Sequence, residues 1–180
     1  MTGGEVLRTP AEYRGTKGLT AQARRVLDGI VTATIGTADN GVVHMAQVWF
    51  LYEDPGLVYF ESSSGTKKVR NIVASGHASV LVKGKSGDGG SLLVLGQGDA
   101  RVLCEENSRA VANRLRAKYI APAGVEPMGR LLDRIDDIVV ELRPRSWVQW
   151  STTQVNTVIQ QLPEYEDGSW GEWFLTEDNR

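Results

Sequence analysis

Two glycines, Gly96 and Gly98, interrupt a run that otherwise reads as one long strand, Leu92 to Leu103. Glycine inside a strand forfeits side-chain packing, so a pair of them marks a bulge, a sharp bend or the close approach of another backbone. Small barrels need such corners. The flanking sequence agrees with that reading. Val31 to Gly36 is short and β-branched, and Ala38-Asp39-Asn40-Gly41 ends in the strongest hairpin dipeptide. Val42 to Tyr52 reads as a long second strand. Val42, His44, Ala46, Val48 and Phe50 fall on one face, and Val43, Met45, Gln47 and Trp49 on the other. Glu53-Asp54-Pro55-Gly56 is a turn, Leu57 to Glu61 a third strand apolar on both faces, and Ser79 to Val82 a fourth. Ile138 to Leu142 is the last clear strand, continued by Trp147 to Trp150 after an Arg-Pro-Arg break.

Helices are few. Thr20 caps a short one that runs to Leu27 and stops at Gly29. Thr66 to Ala74 forms a second, with Val69, Ile72 and Val73 inward and Gly76 as its stop. Glu105 to Tyr119 is the longest, with Val111, Leu115 and Tyr119 on one stripe. Ile120 to Pro127 reads as a Pro-Gly connection and Met128 to Ile135 as a last helix. Six or seven strands with few helices predict a mainly β, α+β fold built as a small antiparallel barrel. Residues 1–18 are expected to be a loose arm, 19–151 the barrel, and 152–180 a polar tail. Its Trp170, Trp173 and Phe174 predict packing on this chain or on a partner.

The bulk properties exclude several functions. A net charge of -2 gives no global basic excess for nucleic acid. An OB-like nucleic-acid binder would also interleave basic and aromatic residues on a strand face, and Val42 to Phe50 holds no Lys or Arg. One cysteine, Cys104, rules out an intrachain disulfide and fits a reducing, cytoplasmic setting. Met1 to Arg14 lacks the apolar core of a signal peptide, and no stretch is apolar enough for a membrane helix. His44 and His77 are the only histidines, too few for a metal centre without a Cys cluster, so no metal is expected. His44 is the best proton donor if the site needs one. Asp133, Asp136 and Asp137 read as a solvated acidic turn.

The chemistry concentrates in Ser62-Ser63-Ser64-Gly65-Thr66-Lys67-Lys68. It is a strand end, a small-residue loop and a helix start. Free N–H groups at a helix start favour an anion, and the hydroxyls add donors. Lys67 and Lys68 fall in the first helical turn, where the helix dipole prefers Asp or Glu. A phosphate facing them removes that conflict; a solvated lysine pair is the alternative. The spacing is not that of a P-loop.

From Val31 to Leu103 the chain resembles the pyridoxamine 5'-phosphate oxidase-like split-barrel superfamily, which includes flavin- and deazaflavin-dependent oxidoreductases. The resemblance rests on Val48-Trp49-Phe50, Val58-Tyr59-Phe60-Glu61, Ser64-Gly65-Thr66-Lys67-Lys68-Val69-Arg70-Asn71 and Val94-Leu95-Gly96, in that order. Arg145-Ser146-Trp147 is similar to the end of the last strand in deazaflavin-using members. The resemblance implies a homodimer with a cofactor, F420 or FMN, in each groove between subunits. It places Lys67 and Lys68 on the cofactor phosphate, with Ser62, Ser64, Thr66 and Asn71 in the accompanying segment. The strand Ala46-Gln47-Val48-Trp49-Phe50 would carry the tricyclic ring. Ser91 would come from the partner subunit, and Trp147 and Trp150 would border the groove. The vitamin-processing oxidases carry an Arg and a Lys flanking the second strand; here His44 and Phe50 or Leu51 stand near those positions. That departure argues against pyridoxamine-phosphate oxidation and favours F420 over FMN. The expected activity is hydride transfer between the cofactor and a small conjugated or aromatic substrate. A non-catalytic carrier or sensor of the same fold is the alternative.

Overall fold

The computed structural model describes residues 18–87, 90–132 and 134–153. The arm expected at 1–18, save Gly18, and the tail expected at 152–180, save Thr152 and Thr153, lie outside the described residues. Along the chain run α1 (Ala21–Asp28), β1 (Ala33–Asp39), β2 (Val42–Val48), β3 (Leu51–Glu53), β4 (Leu57–Ser63) and α2 (Lys67–Ser75). They are followed by β5 (His77–Lys85), β6 (Ser91–Val102), α3 (Glu105–Tyr119), α4 (Pro122–Leu132) and β7 (Asp137–Ser151). Among the described residues no helix is long and apolar enough to cross a membrane.

All strand pairings are antiparallel, in the order β2-β1-β5-β6-β7-β4-β3. The two edge strands, β2 and β3, are consecutive in sequence and separated only by Trp49 and Phe50. A sheet whose opposite edges are joined by so short a step must curl round on itself. This is the split barrel. The long strand expected from Val42 to Tyr52 is therefore divided at Trp49-Phe50, because its two halves serve opposite edges.

Tight geometry is concentrated where glycine was informative. Asn40 (φ 47°) and Gly41 (φ 78°) make the β1–β2 turn with both residues left-handed, as a two-residue hairpin requires. Between Gln97 and Gly98 the register of β6 on β7 slips: Gln97 faces Ser146 and Gly98 faces Pro144, leaving Arg145 as the extra residue of a bulge. The expected Arg-Pro-Arg break is thus no break. β7 runs through it, and Pro144, which has no N–H to give, sits at the irregular point of the ladder.

Phe50, Phe60, Ile35, Val58, Val80, Val82, Val94 and Leu142 fill the barrel and are fully buried. α1 closes one side with Ala23, Val26 and Leu27, after a start at which the Thr20 hydroxyl accepts from the Ala23 N–H at 3.2 Å. α3 lies outside β4 and β7, burying Val111, Ala112 and Tyr59 against Val139. A two-pronged ion pair holds it there: Arg116 reaches Glu61 at 2.9 and 3.2 Å, with both side chains 13% exposed.

Two helical expectations are corrected. Val73 is 70% exposed, not inward; Asn71 is buried instead. Successive residues turn by about 100°. The buried arc of α2 is centred on Ile72 and Asn71 because the Asn71 amide finds a buried partner, which rotates Val73 outward. The last helix is α4, starting at Pro122 and containing Pro127, rather than a helix from Met128. Proline is well placed at a first helical position, where its missing N–H would have no partner.

Gly98→Ala is expected to cost roughly 3 kcal/mol of unfolding free energy in a urea titration. Its Cβ would lie 2.6 Å from Pro144 Cα and 2.7 Å from the Arg145 nitrogen, both backbone atoms that cannot swing aside. Gly41→Ala meets open space and only the left-handed φ, so about 1 kcal/mol is expected there.

Candidate functional site

The Ser62–Lys68 segment leaves the end of β4 and enters α2. Antiparallel pairing sets Ser63 of β4 opposite Asp137, the first residue of β7. The loop is tied to that strand start on three counts. The Ser63 hydroxyl donates to Asp137 at 2.9 Å, the Ser64 hydroxyl donates to the Asp136 carboxylate, and the Ser64 N–H donates to the Asp136 carbonyl at 3.0 Å. Asp136 and Asp137 therefore brace the loop, rather than only forming a solvated turn. Sequence reasoning missed this, because only the pairing of strands far apart in the chain brings the two acids beside the serines.

Bracing has a chemical consequence. A hydroxyl has one proton, and that of Ser64 goes to Asp136, so in this arrangement Ser64 presents lone pairs to its surroundings. Ser62, 7% exposed, shares a 2.9 Å hydrogen bond with the Thr66 hydroxyl. The free donors are instead at the helix start. Thr66 is the N-cap but its side chain makes no capping bond, and its hydroxyl is engaged with Ser62. The N–H groups of Lys67, Lys68 and Val69 have no acceptor within the helix. No acidic residue stands in the first turn. Lys67 is exposed and Lys68 half-exposed, and neither is ion-paired among the described residues. An anion at this point would meet backbone donors, the positive end of a dipole and two ammonium groups together.

The rest of α2 is keyed to the barrel. Asn71, 4% exposed, donates to the Thr37 hydroxyl at 3.1 Å, and Thr37 is itself 4% exposed. His44 on β2 is the direct cross-strand neighbour of Thr37. The structure thus brings His44 alongside the Asn71–Thr37 bond, one strand from the helix that carries the lysines.

Further along β2, Ala46 is half-buried, Gln47 exposed and Val48 buried. Phe50 is fully buried and Trp49 is 40% exposed. Both are held from α3. The Tyr119 hydroxyl accepts from the Phe50 N–H at 3.2 Å and donates to the Val31 carbonyl at 2.8 Å, with the Phe50 carbonyl 3.0 Å away. Its ring stacks on Trp49, centroids 5.0 Å apart and planes within 4°. Beside it the Lys118 ammonium lies 3.9 Å from the centre of the Phe50 ring and donates to the Leu27 carbonyl at 2.9 Å. Tyr119 was legible only as one apolar position of a helical stripe; nothing local in the sequence signals that its hydroxyl holds a strand junction.

Ser91 and Trp147 are not brought to this place. Ser91 opens β6 at the end that pairs with Lys85, where its N–H donates to the Thr152 hydroxyl at 2.9 Å. Trp147 lies on β7 well beyond the residues that pair with β4, and is 8% exposed with its ring over Gly96. Within one chain, Ser91 stands at the far end of β6 from α2, and Trp147 pairs with Gly96 in the middle of that strand.

A family model described as pyridoxamine 5'-phosphate oxidase matches residues 19–157. The chain belongs to that family. The search of curated proteins found no match. Among solved structures, a conserved hypothetical protein from Mycobacterium tuberculosis superposes with a TM-score of 0.60 at 18% identity, covering 77% of this chain and 89% of that one. An FAD binding protein from Mycobacterium smegmatis gives 0.54 at 18% identity, over 75% and 98% of the two chains. A structure described as F420 reductase gives 0.52 at 18% identity, over 72% and 98%. These likenesses establish the fold.

Lys118 provides a test of the Phe50 junction. Burial pushes its pKa down from 10.5 to about 8, against a smaller upward pull from Asp28. The charged form is therefore disfavoured in the folded state. The contribution of Lys118 to stability is fullest above its unfolded pKa and is lost as pH falls through about 8. The stability of the wild type against denaturant is expected to rise between pH 8 and pH 10 relative to Lys118→Met. Parallel pH profiles would show that the ammonium is not desolvated at this junction.

Proposed function

We propose that the chain is a homodimeric oxidoreductase that holds the phosphate of a deazaflavin or flavin cofactor, F420 ahead of FMN, at the N-terminus of α2. The observation that carries this reading is the first turn of α2: Lys67 and Lys68 without an acidic neighbour in that turn, and three N–H groups without intrahelical acceptors. An isolated helix would be destabilised by such a start; a bound phosphate stabilises it. Membership of the pyridoxamine 5'-phosphate oxidase family supports a flavin-type ligand, as do the names of two structural neighbours, an FAD binding protein and an F420 reductase.

The assignment of parts follows the resemblance. Lys67, Lys68 and the α2 N–H groups bind the phosphate, Asp136 and Asp137 hold the Ser62–Ser64 loop in shape, and Asn71 fixes the helix on Thr37. Ala46 to Phe50 is the floor for the ring, made rigid from below by Tyr119. When bound, the cofactor supplies the hydride chemistry; the protein orients it and excludes water. His44 is the one imidazole near this floor and the candidate for moving a proton. It also stands where the vitamin-processing oxidases have a basic anchor, which is why F420 is placed first. The substrate is a small conjugated or aromatic molecule.

The homodimer is supported by two features. The resemblance gives Ser91 and Trp147 to the cofactor, and Ser91, at the Lys85 end of β6, would meet one held by Lys67 from another chain. The outer face of the barrel is also apolar where a partner would lie. Met45 on β2 is 61% exposed, and Leu81, Leu95 and Val148 stand half-exposed across β5, β6 and β7. A carrier or sensor without turnover is the second reading, favoured by the lack of any acid–base group other than His44 along β2. Steady-state oxidation of reduced F420 against a substrate panel separates the two.

Lys67→Ala is expected to weaken F420 or FMN binding by about 10–150-fold in a fluorescence titration, the loss of one charged hydrogen bond. Unchanged affinity would sink the phosphate assignment. Asp136→Asn keeps an acceptor for Ser64 but removes a negative charge from beside the anion. Affinity is therefore expected to rise, by roughly two- to fivefold at low salt.

A further inference from the structure

At the opposite end of the barrel from α2, the β3–β4 turn and the bulged part of β7 enclose a hollow of about 370 Å³. Pro55, Gly56 and Leu57 line one side, and Arg143, Arg145 and Trp147 the other. Trp147 is 92% buried, yet its indole N–H has no acceptor among the described residues. The nitrogen is turned towards Gly56: a Cβ built there would meet Nε1 at 3.4 Å before any other atom. Gly56 also has a φ of +156°. The residue that would cover the N–H is the one residue type without a side chain to do so.

The charges around the hollow do not cancel. Arg101 and Arg143 share a single carboxylate, Glu141, at 3.0 and 3.6 Å. Arg101 has the close contact and Arg143, 64% exposed, the loose one. Arg145 is matched two-pronged to Asp99. Asp54, next to Pro55 in the chain, is engaged by Arg24 and Tyr52. Among the described residues, one guanidinium, that of Arg143, is thus in surplus at the rim. A buried indole N–H without an acceptor among the described residues, a guanidinium in surplus among them and walls of Leu57, Pro55 and the Trp147 ring are complementary to one kind of ligand.

We propose that this hollow binds a small organic carboxylate with an apolar body, its carboxylate between Trp147 Nε1 and Arg143 and its body against Leu57 and Pro55. The site is separate from the α2 phosphate site. The resemblance also gives Trp147 to the cofactor groove, so benzoate binding is read on the chain without added cofactor.

Benzoate, titrated into the ¹⁵N-labelled full chain, is the probe. The indole N–H cross-peaks report on the tryptophans one by one. That of Trp147 is assigned with Trp147→Phe. If that variant does not fold, elimination with Trp49→Phe, Trp150→Phe, Trp170→Phe and Trp173→Phe assigns it. The expected result is a saturable shift of the Trp147 peak, weakened about tenfold by Arg143→Gln and unaltered by Lys67→Ala. Benzamide, of the same shape without the charge, is expected to bind at least tenfold more weakly. A Trp147 peak that does not move with benzoate overturns the proposal. So does a shift that Arg143→Gln leaves intact, or one that benzamide reproduces at equal concentration.

Discussion

The barrel depends on how its two edges are joined. β2 and β3 meet through Trp49 and Phe50, and at that step neither strand ladder supplies the backbone with partners. The Tyr119 hydroxyl supplies them. It takes the Phe50 N–H and bonds the Val31 carbonyl, so one atom ties the junction to the segment entering β1. A polar backbone group buried without a partner costs ~1–3 kcal/mol, and here it would be lost beside Phe50, which is wholly inside the core. α3 is in turn held by the Arg116–Glu61 pair, so the position of the hydroxyl is inherited from a clamp on the far side of β4.

This arrangement explains the distribution of roles along β2. Its inner residues, Val48 and Phe50, anchor the barrel, while Met45, Gln47 and Trp49 stay open on the outer face. A strand can offer one face to a planar ligand only if the other is fixed. The stack of Trp49 on Tyr119 fixes even the exposed aromatic from one side, leaving its other face as a preorganised surface.

What could be read from the sequence was what depends on local chemistry. The Asn40-Gly41 turn, the Thr20 cap, the full span of α3 and the bulge at the glycine pair each follow from a residue type and its neighbours. The misreadings share the opposite cause. The strand from Val42 to Tyr52 is continuous in pattern but split by closure of the sheet; Arg143-Pro144-Arg145 is a break in pattern but continuous in space because Gly98 lies opposite. The lysines of the candidate site were legible, since their place in a first helical turn is locally anomalous. Asp136, Asp137 and Tyr119, which hold that site in shape, were not. Each acts across more than sixty positions of sequence, on Ser63, Ser64 and Phe50.

The bulge at Gly98 also governs where this chain can change length. It pins the register of β6 on β7 at an interior point, so strand alignment is not inherited from the connections at the strand ends. Residues added or removed between β5 and β6, around 86–90, would leave every pairing from Leu92 onwards in place. One residue added or removed between Pro144 and Ser146 would either erase the bulge or double it. Homologues are therefore expected to differ freely in the first segment and to keep a constant spacing in the second.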